Sequence, residues 1–265
     1  MERAPEASIH ADLEALSHAA AAAIVQVAED AVRERGWFAL SLAGGSTPRR
    51  LYELLATTYS ERMPWARTHL FFGDERCVPP TDPASNYHMA FDALLNRVPI
   101  AEKQVHRIRG EIPPLDAARE YGRMLRRFFA TGERGAAEPH APEDVTTFDI
   151  ALLGIGPDGH TASLFPGSPV LDERAHWVVE VEAPAYIAPP RQRITLTLPV
   201  LNGARDVFLF AAGEEKTRVV AELLSAEARR PSPYPAGRVS GTRRTVWWLD
   251  RAAAGDIGGA EAESR

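Results

Sequence analysis

Between Phe148 and Ser168 the chain reads FDIALLGIGPDGHTASLFPGS, which sets an acid, Asp158, and an imidazole, His160, just past a glycine-rich turn. Histidine titrates near neutrality and so moves protons, and a nearby carboxylate can orient the ring or stabilise its charged form. The apolar run Ile150–Leu153 that precedes Gly154 and Gly156 reads as a buried strand. In open α/β sheets the carboxyl ends of such strands face the ligand crevice, which makes the pair a candidate site for general acid–base chemistry. The plainer alternative is a capping or core histidine, since residues two apart on an irregular loop can point apart. Gly154-Ile155-Gly156-Pro157-Asp158-Gly159 also matches the dinucleotide fingerprint GxGxxG. Pro157 and Asp158 would stand where a pyrophosphate approaches, and the acid would repel it, so a nucleotide is disfavoured.

Three other stretches carry groups suited to holding an anion. Gly44-Gly45-Ser46-Thr47-Pro48 lies between a strand and a helix, where glycines let the backbone turn, successive N–H groups form an anion nest, and two hydroxyls add donors. The other reading of that turn is a helix cap by Ser46 or Thr47. Gly73-Asp74-Glu75-Arg76 follows the apolar HLFF, and Arg76 has the planar fork that clamps a phosphate or carboxylate; alternatively Asp74 and Glu75 hold the loop through the arginine. Among the 30 Lys and Arg residues only Lys103 and Lys216 are lysine. Lys216 begins a helix, where a cation is disfavoured unless it has an anionic partner, although a solvated lysine paired with a nearby glutamate explains it as well.

The elements that must position these groups alternate between helix and strand. Helical spacing of Leu13, Leu16, Ala20, Ile24, Val27 and Ala31 predicts a helix from Ile9 to Arg35 that Gly36 ends. Strands are expected at Trp37–Leu42, His69–Phe72, Val105–Ile108, Ile150–Leu153, Val178–Val181, Arg193–Leu198, Asp206–Ala211 and Thr245–Leu249. Helices are expected from the Pro48 turn to Leu55 and at Asn86–Leu95, Ala117–Ala130 and Glu214–Glu227, with loops at Gly73–Pro83 and Thr131–Val145. The alternation predicts an α/β fold, a Rossmann-like mainly parallel sheet with helices on both faces. Gly44, Gly73, Gly154 and Gly213 each follow a strand, so four strand ends are expected at one rim. Residues 1–252 read as a single α/β domain and 253–265 as a flexible C-terminal tail.

The composition, 45% hydrophobic and 25% charged, is that of an ordinary soluble globule. A net charge of −6 gives no basic face for nucleic acid, though it allows a local basic pocket for a small anion. The single cysteine, Cys77, forms no intramolecular disulfide and belongs to no metal-binding pattern, and no run approaches a membrane span. Ala19–Ala28 lies between acids without a basic start, so it reads as an amphipathic helix rather than a signal peptide. A cytoplasmic protein is expected, without metal or cofactor; monomer and small homo-oligomer both remain open.

The motifs AGGSTP, GDER followed by SNY, GIGPDGHTASLFPGS, RITLTLPVLNGAR and GEEK, in this order, resemble the 6-phosphogluconolactonase family over roughly residues 8–250. The resemblance implies the fold shared by glucosamine-6-phosphate deaminases, ribose-5-phosphate isomerase and CoA transferases. It also implies cofactor-free hydrolysis of 6-phospho-D-glucono-1,5-lactone to 6-phosphogluconate in the oxidative pentose phosphate pathway. By position it places the substrate phosphate on Gly44, Gly45, Ser46 and Thr47 with Arg76 and Lys216, and makes His160 the general base with Asp158 beside it. Ala43 departs from the pattern, where many relatives have Ser. The related deaminases resemble GIGxDGHIAFNEPG here, with a glutamate that helps open the sugar ring, and they usually have Tyr in place of Arg76. Aligned on His160, that glutamate falls at Phe165, which cannot move a proton. A non-catalytic sugar-phosphate sensor on the same fold is the alternative of another class.

Overall fold

A computed structural model describes residues 6–131, 148–187, 191–225 and 231–258. Glu6–His10 forms strand β1. Asp12, whose carboxylate accepts from the N–H of Ala15 at 2.8 Å, then starts helix α1 (Leu13–Arg35), and Gly36 closes it in the left-handed conformation at φ 80°. Strand β2 (Phe38–Leu42) leads into α2 (Ser46–Ala56), followed by β3 (Thr68–Phe72), β4 (Asp74–Arg76), α3 (Asn86–Ala93) and α4 (Pro114–Thr131). Next come β5 (Ile150–Gly154), β6 (Val178–Glu182), β7 (Gln192–Leu196) and α5 (Leu198–Asn202). The order closes with β8 (Asp206–Ala211), α6 (Thr217–Leu224), β9 (Arg244–Asp250) and α7 (Arg251–Ala254).

Six strands form a parallel sheet in the order β1-β9-β8-β5-β2-β3. Its central strands β2, β5 and β8 read FALSL, IALLG and DVFLFA and are buried along nearly their whole length, as strands covered on both faces must be. From β2 the chain steps to β3 in one direction; from β3 it returns past β2 to β5 and continues to β8 and β9 in the other. Right-handed crossovers in the first direction put α1 and α2 on one face, where they pack on each other. The reversal falls between β2 and β5, so the loops after these strands diverge and leave a crevice at the carboxyl edge. The Rossmann-like parallel architecture expected from the sequence is the one observed.

A second, antiparallel sheet of order β4-β7-β6 stands beside that edge. Gly73 joins the two sheets: its N–H donates to the carbonyl of Leu42 at 3.0 Å, and its carbonyl accepts from Leu196 N–H at 2.9 Å. The loop expected at Gly73–Pro83 thus begins with a strand, because backbone pairing to β7 outweighs the poor strand propensity of Asp-Glu-Arg. The helix expected from Ile9 begins instead at Leu13, after an edge strand too short and polar to show strand periodicity. Val105–Ile108 makes only an isolated bridge from Val105 to Leu70. The expected strand Arg193–Leu198 stops at Leu196, since Leu198 already begins α5. The tail expected from residue 253 starts with a buried helical turn, Ala253 and Ala254 being 0% and 1% exposed. The loop expected at Thr131–Val145 lies outside the described residues except for Thr131, the last residue of α4. Residues 226–227 of the expected helix Glu214–Glu227, and 259–265 of the tail, also lie outside them.

Next to β3, His106 lies flat on Phe71 (4.4 Å between ring centroids, 13°), with its Nε2 3.1 Å from Nδ1 of His69. Burial, reinforced by the charge of His69, pushes His106 down from 6.5 to about 4. The folded chain therefore keeps His106 neutral where the unfolded chain is protonated, and the folded state loses stability as pH falls from about 6.5 towards 4. Melting temperature measured against pH should drop across this window, and the drop should be shallower in His106→Phe.

Candidate active site

The carboxyl ends of β2, β3, β5 and β8 open onto one cleft of about 260 Å³. Of the glycines expected at this rim, Gly44, Gly73 and Gly154 line the cleft, whereas Gly213 stands outside it and Ala212 takes its place. The cleft brings together Gly44, Gly45, Ser46, Thr47, Arg76, His160 and Lys216. Asp158 is not part of the wall and reaches the site through His160.

The turn after β5 settles how the acid and the imidazole face each other. Gly156 N–H donates to the carbonyl of His160 at 2.8 Å and Gly159 N–H to that of Gly156 at 2.9 Å, with Gly159 at φ 79°. This folds the two side chains together, and His160 Nδ1 lies 2.5 Å from Asp158 Oδ1, which also accepts from His160 N–H at 3.2 Å. Partial burial pushes the Asp158 carboxyl up, but hydrogen bonds and charge from His160, aided by Tyr186, outweigh it and hold it at about 2. The carboxylate is therefore ionised and Nδ1 carries the hydrogen, which leaves Nε2 for chemistry; Nε2 has no hydrogen-bond partner among the described residues. The His160 ring also packs on buried Phe165 at 5.0 Å.

Gly156 is needed for this arrangement because a Cβ there would stand 2.1 Å from His160 Nδ1 and 2.6 Å from Asp158 Oδ1. Gly156→Ala should push the imidazole off its partner and lower turnover by at least about tenfold, part of what a full ångström of misplacement costs. Steady-state kinetics together with an unchanged circular dichroism spectrum check this. Ala162, in the cleft wall, adopts a left-handed φ of 47° in the Thr161–Leu164 turn, a conformation that costs a non-glycine residue about 1 kcal/mol.

The rest of the wall carries open N–H groups, hydroxyls and cations. Gly45, at φ 103°, precedes α2, whose first turn has neither a side-chain cap nor an acid, whereas α1 and α3 are capped by Asp12 and Ser85. Ser46 and Thr47 therefore do not cap their own helix, and their hydroxyls have no hydrogen-bond partner among the described residues. Lys216 stands at the turn before α6 with Nζ 3.8 Å from Glu215, and burial lowers its pKa against the pull of Glu215 and Asp158.

The GDER motif divides between two tasks. Glu75 is buried and accepts from the N–H groups of Asn86 and Tyr87 at 2.7 and 2.9 Å and from Ser85 Oγ at 2.9 Å, so it ties β4 to the start of α3. Asp74 accepts from Ser163 Oγ at 2.6 Å and from Asn86 Nδ2 at 2.9 Å, joining β4 to the loop after His160. The acids thus hold the loop through Ser85, Asn86, Tyr87 and Ser163 rather than through the arginine, while Arg76, whose Nη1 donates to the Ala84 carbonyl, lines the cleft.

Arg193 and Asn86 also line the cleft and were not singled out from the sequence. Arg193, on β7, pairs directly across from Arg76 on β4 and is only 6% exposed. Burial lowers its pKa, Asp74 raises it, and Arg76 lowers it further. Nε of Arg76, Nε of Arg193 and Oδ1 of Asn86 are all buried without a hydrogen-bond partner, an unusual condition for polar atoms in a folded chain. The available signal for Arg193 was a charge inside the otherwise uncharged strand RITLTL. Asn86 stands in the SNY motif that carries the resemblance but was given no role there, because its place depends on the close approach of Gly44, where a Cβ would lie 1.9 Å from Asn86 Oδ1.

Fold and cleft together are those of an α/β protein with a polar cleft at the carboxyl edge of its sheet, lined by two arginines, a lysine and a histidine held by a carboxylate. Residues 11–248 match the family described as glucosamine-6-phosphate isomerases/6-phosphogluconolactonase, and the chain belongs to that family. It is 37% identical to the 6-phosphogluconolactonase of Streptomyces coelicolor over 97% of this chain and 96% of the relative. To the human 6-phosphogluconolactonase it is 41% identical over 83% of this chain and 81% of that one. The 6-phosphogluconolactonase structure from Trypanosoma brucei superposes with a TM-score of 0.79 at 30% identity, covering 96% of this chain and 98% of the other. A monomeric glucosamine-6-phosphate deaminase shares the fold, at TM-score 0.73 and 21% identity over 94% of this chain and 98% of that one.

Proposed function

We propose that the chain, as one α/β unit, hydrolyses 6-phospho-D-glucono-1,5-lactone to 6-phospho-D-gluconate, the lactonase step of the oxidative pentose phosphate pathway. The observation that carries the reading is Asp158 holding His160 Nδ1 at the wall of the same cleft that Arg76 and Arg193 line, each with a buried Nε that has no hydrogen-bond partner. The phosphate lies on the uncapped start of α2, at Gly44, Gly45, Ser46 and Thr47, with Arg76, Arg193 and Lys216 around it. A dianion there answers the open N–H groups and the facing guanidiniums at once.

Water attacks the lactone carbonyl carbon as His160 Nε2 accepts a proton from it. The tetrahedral intermediate then expels the ring oxygen, which receives that proton from the imidazolium. One water is consumed, one C–O bond is formed and one broken, and the carboxylic acid formed ionises at neutral pH. Asp158 holds the imidazole and stabilises its charge without taking the proton, its own carboxyl lying at about 2. A δ-lactone already hydrolyses in water, so a base and a held phosphate supply enough of the barrier without a covalent nucleophile. The one half-buried cysteine, Cys77, fits a reducing compartment, and we place the reaction in the cytoplasm. Among the described residues no helix is long and apolar enough to cross a membrane.

The test is lactone disappearance above the spontaneous rate, followed as acid release. Catalysed release supports the reading, and binding of 6-phosphogluconate without turnover would identify a sensor instead. Phe165 occupies the place where a deaminase needs a proton-moving side chain, and it lies buried against His160. The purified protein should therefore release no ammonia from glucosamine 6-phosphate in a coupled assay that detects lactonase-level turnover.

A further inference from the structure

Asp158 has a second partner besides His160. The hydroxyl of Tyr186, in the segment between β6 and β7, donates to Asp158 Oδ2 at 3.0 Å, while both bonds from His160 fall on Oδ1. The segment that carries Tyr186 is fixed independently of this bond. Ile187 N–H donates to the carbonyl of Pro184 at 2.9 Å and Ala183 N–H to that of Arg191 at 3.3 Å. Ala183, Ile187 and Val181 pack with Phe165 in a small apolar cluster of their own, and the Phe165 ring in turn touches His160. One turn thus reaches both members of the pair, the acid through Tyr186 and the imidazole through Phe165.

We propose that Tyr186 is a positioning residue for the reaction, holding the second oxygen of Asp158 so that the first stays on His160 Nδ1. The proposal rests on the reading of Asp158 and His160 as the acid–base pair. A carboxylate bonded on one oxygen only can swing about its own axis and let the imidazole turn, whereas one tied on both oxygens cannot. The phenol also draws charge from the carboxylate and so loosens its hold on the imidazolium, which must give its proton to the departing ring oxygen. Partial burial and the bond to Asp158 raise the pKa of Tyr186, so it remains a donor at neutral pH. Tyr186 is 63% exposed and is not part of the cleft wall, so it acts through Asp158 rather than on substrate.

Tyr186→Phe keeps the ring and deletes the hydroxyl. The other charged groups lining the cleft with His160 are Lys216 and Glu215 before α6, Arg193 on β7, and Asp74 and Arg76 on β4, with Lys216 also feeling the charge of Asp158, and none of them changes in this variant. Steady-state kinetics of the full chain on the phosphorylated lactone should show kcat about threefold to tenfold lower, the order of one typical net hydrogen bond, as suits an exposed phenol. KM should be unchanged, and the acid limb of kcat/KM should move to higher pH because a more basic carboxylate stabilises the imidazolium. A variant with wild-type kcat and an unmoved acid limb would overturn the assignment. So would a raised KM at constant kcat, which would make Tyr186 a substrate contact. Absence of lactonase activity in the unaltered protein is a different result, and would overturn the functional reading itself.

Discussion

Replacing His160 with alanine should lower kcat on the phosphorylated lactone by about 10² to 10⁴-fold, the range that a positioned general base supplies, while KM stays within a few-fold. The split follows from the geometry. The groups proposed to hold the phosphate stand on α2, β4, β7 and the turn before α6, and none of them hydrogen-bonds to His160. Loss of the imidazole therefore removes an interaction made in the transition state and leaves ground-state binding in place. The acid limb of kcat/KM should vanish with it. The Asp158 carboxyl is held at about 2 by its bonds to His160 and Tyr186, so its own protonation lies far below neutrality. Asp158→Asn should cost less than His160→Ala, since the amide oxygen can still accept from Nδ1 and from the His160 N–H but brings no charge to stabilise the imidazolium. A kcat of His160→Ala equal to that of the unaltered protein, after subtraction of spontaneous hydrolysis, would remove His160 as the base.

What could be read from the chain before its structure follows a physical division. Strands buried on both faces announce themselves by apolar runs, and the central strands were recognisable for that reason, as was the gathering of their glycine-rich ends. Asp158 and His160 were legible as a pair of residue types, but their contact was not, because it depends on a turn closed by Gly156 and Gly159. Short elements whose reasons are tertiary were missed: β1 is an edge strand defined by its pairing with β9, and β4 reads as charged loop until β7 is beside it. Arg193 is the instructive omission. A single-residue reading sees an arginine in a strand, and only the β4–β7 register shows that it stands opposite Arg76.

That register leads to the second large effect. Like charges directly across an antiparallel pair destabilise each other, yet Arg76 and Arg193 face one another with buried, unpaired Nε atoms. Asp74 and Glu75 offset part of the repulsion between the two guanidiniums, and a phosphate dianion would offset more of it and answer their unpaired Nε–H groups. Arg193→Met should therefore leave the melting temperature unchanged or raise it, because it removes a buried like charge and keeps an apolar stem against Phe165, which the guanidinium now covers at 5.8 Å. The same variant should lower kcat/KM on the phosphorylated lactone by about 30-fold to 10³-fold, the 2–4 kcal/mol lost when one partner of a buried charged contact is truncated. On unphosphorylated gluconolactone the loss should be a few-fold at most. Arg76→Ala should show the same substrate split, but with some loss of stability, since Arg76 Nη1 also donates to the carbonyl of Ala84 at 2.5 Å. Equal losses on the two lactones would place these arginines at the reacting carbonyl rather than at the phosphate. A fall in melting temperature with binding intact would make Arg193 structural. Stability and turnover moving in opposite directions in one variant is the pattern a folding role alone does not produce, because a residue kept for folding loses both together.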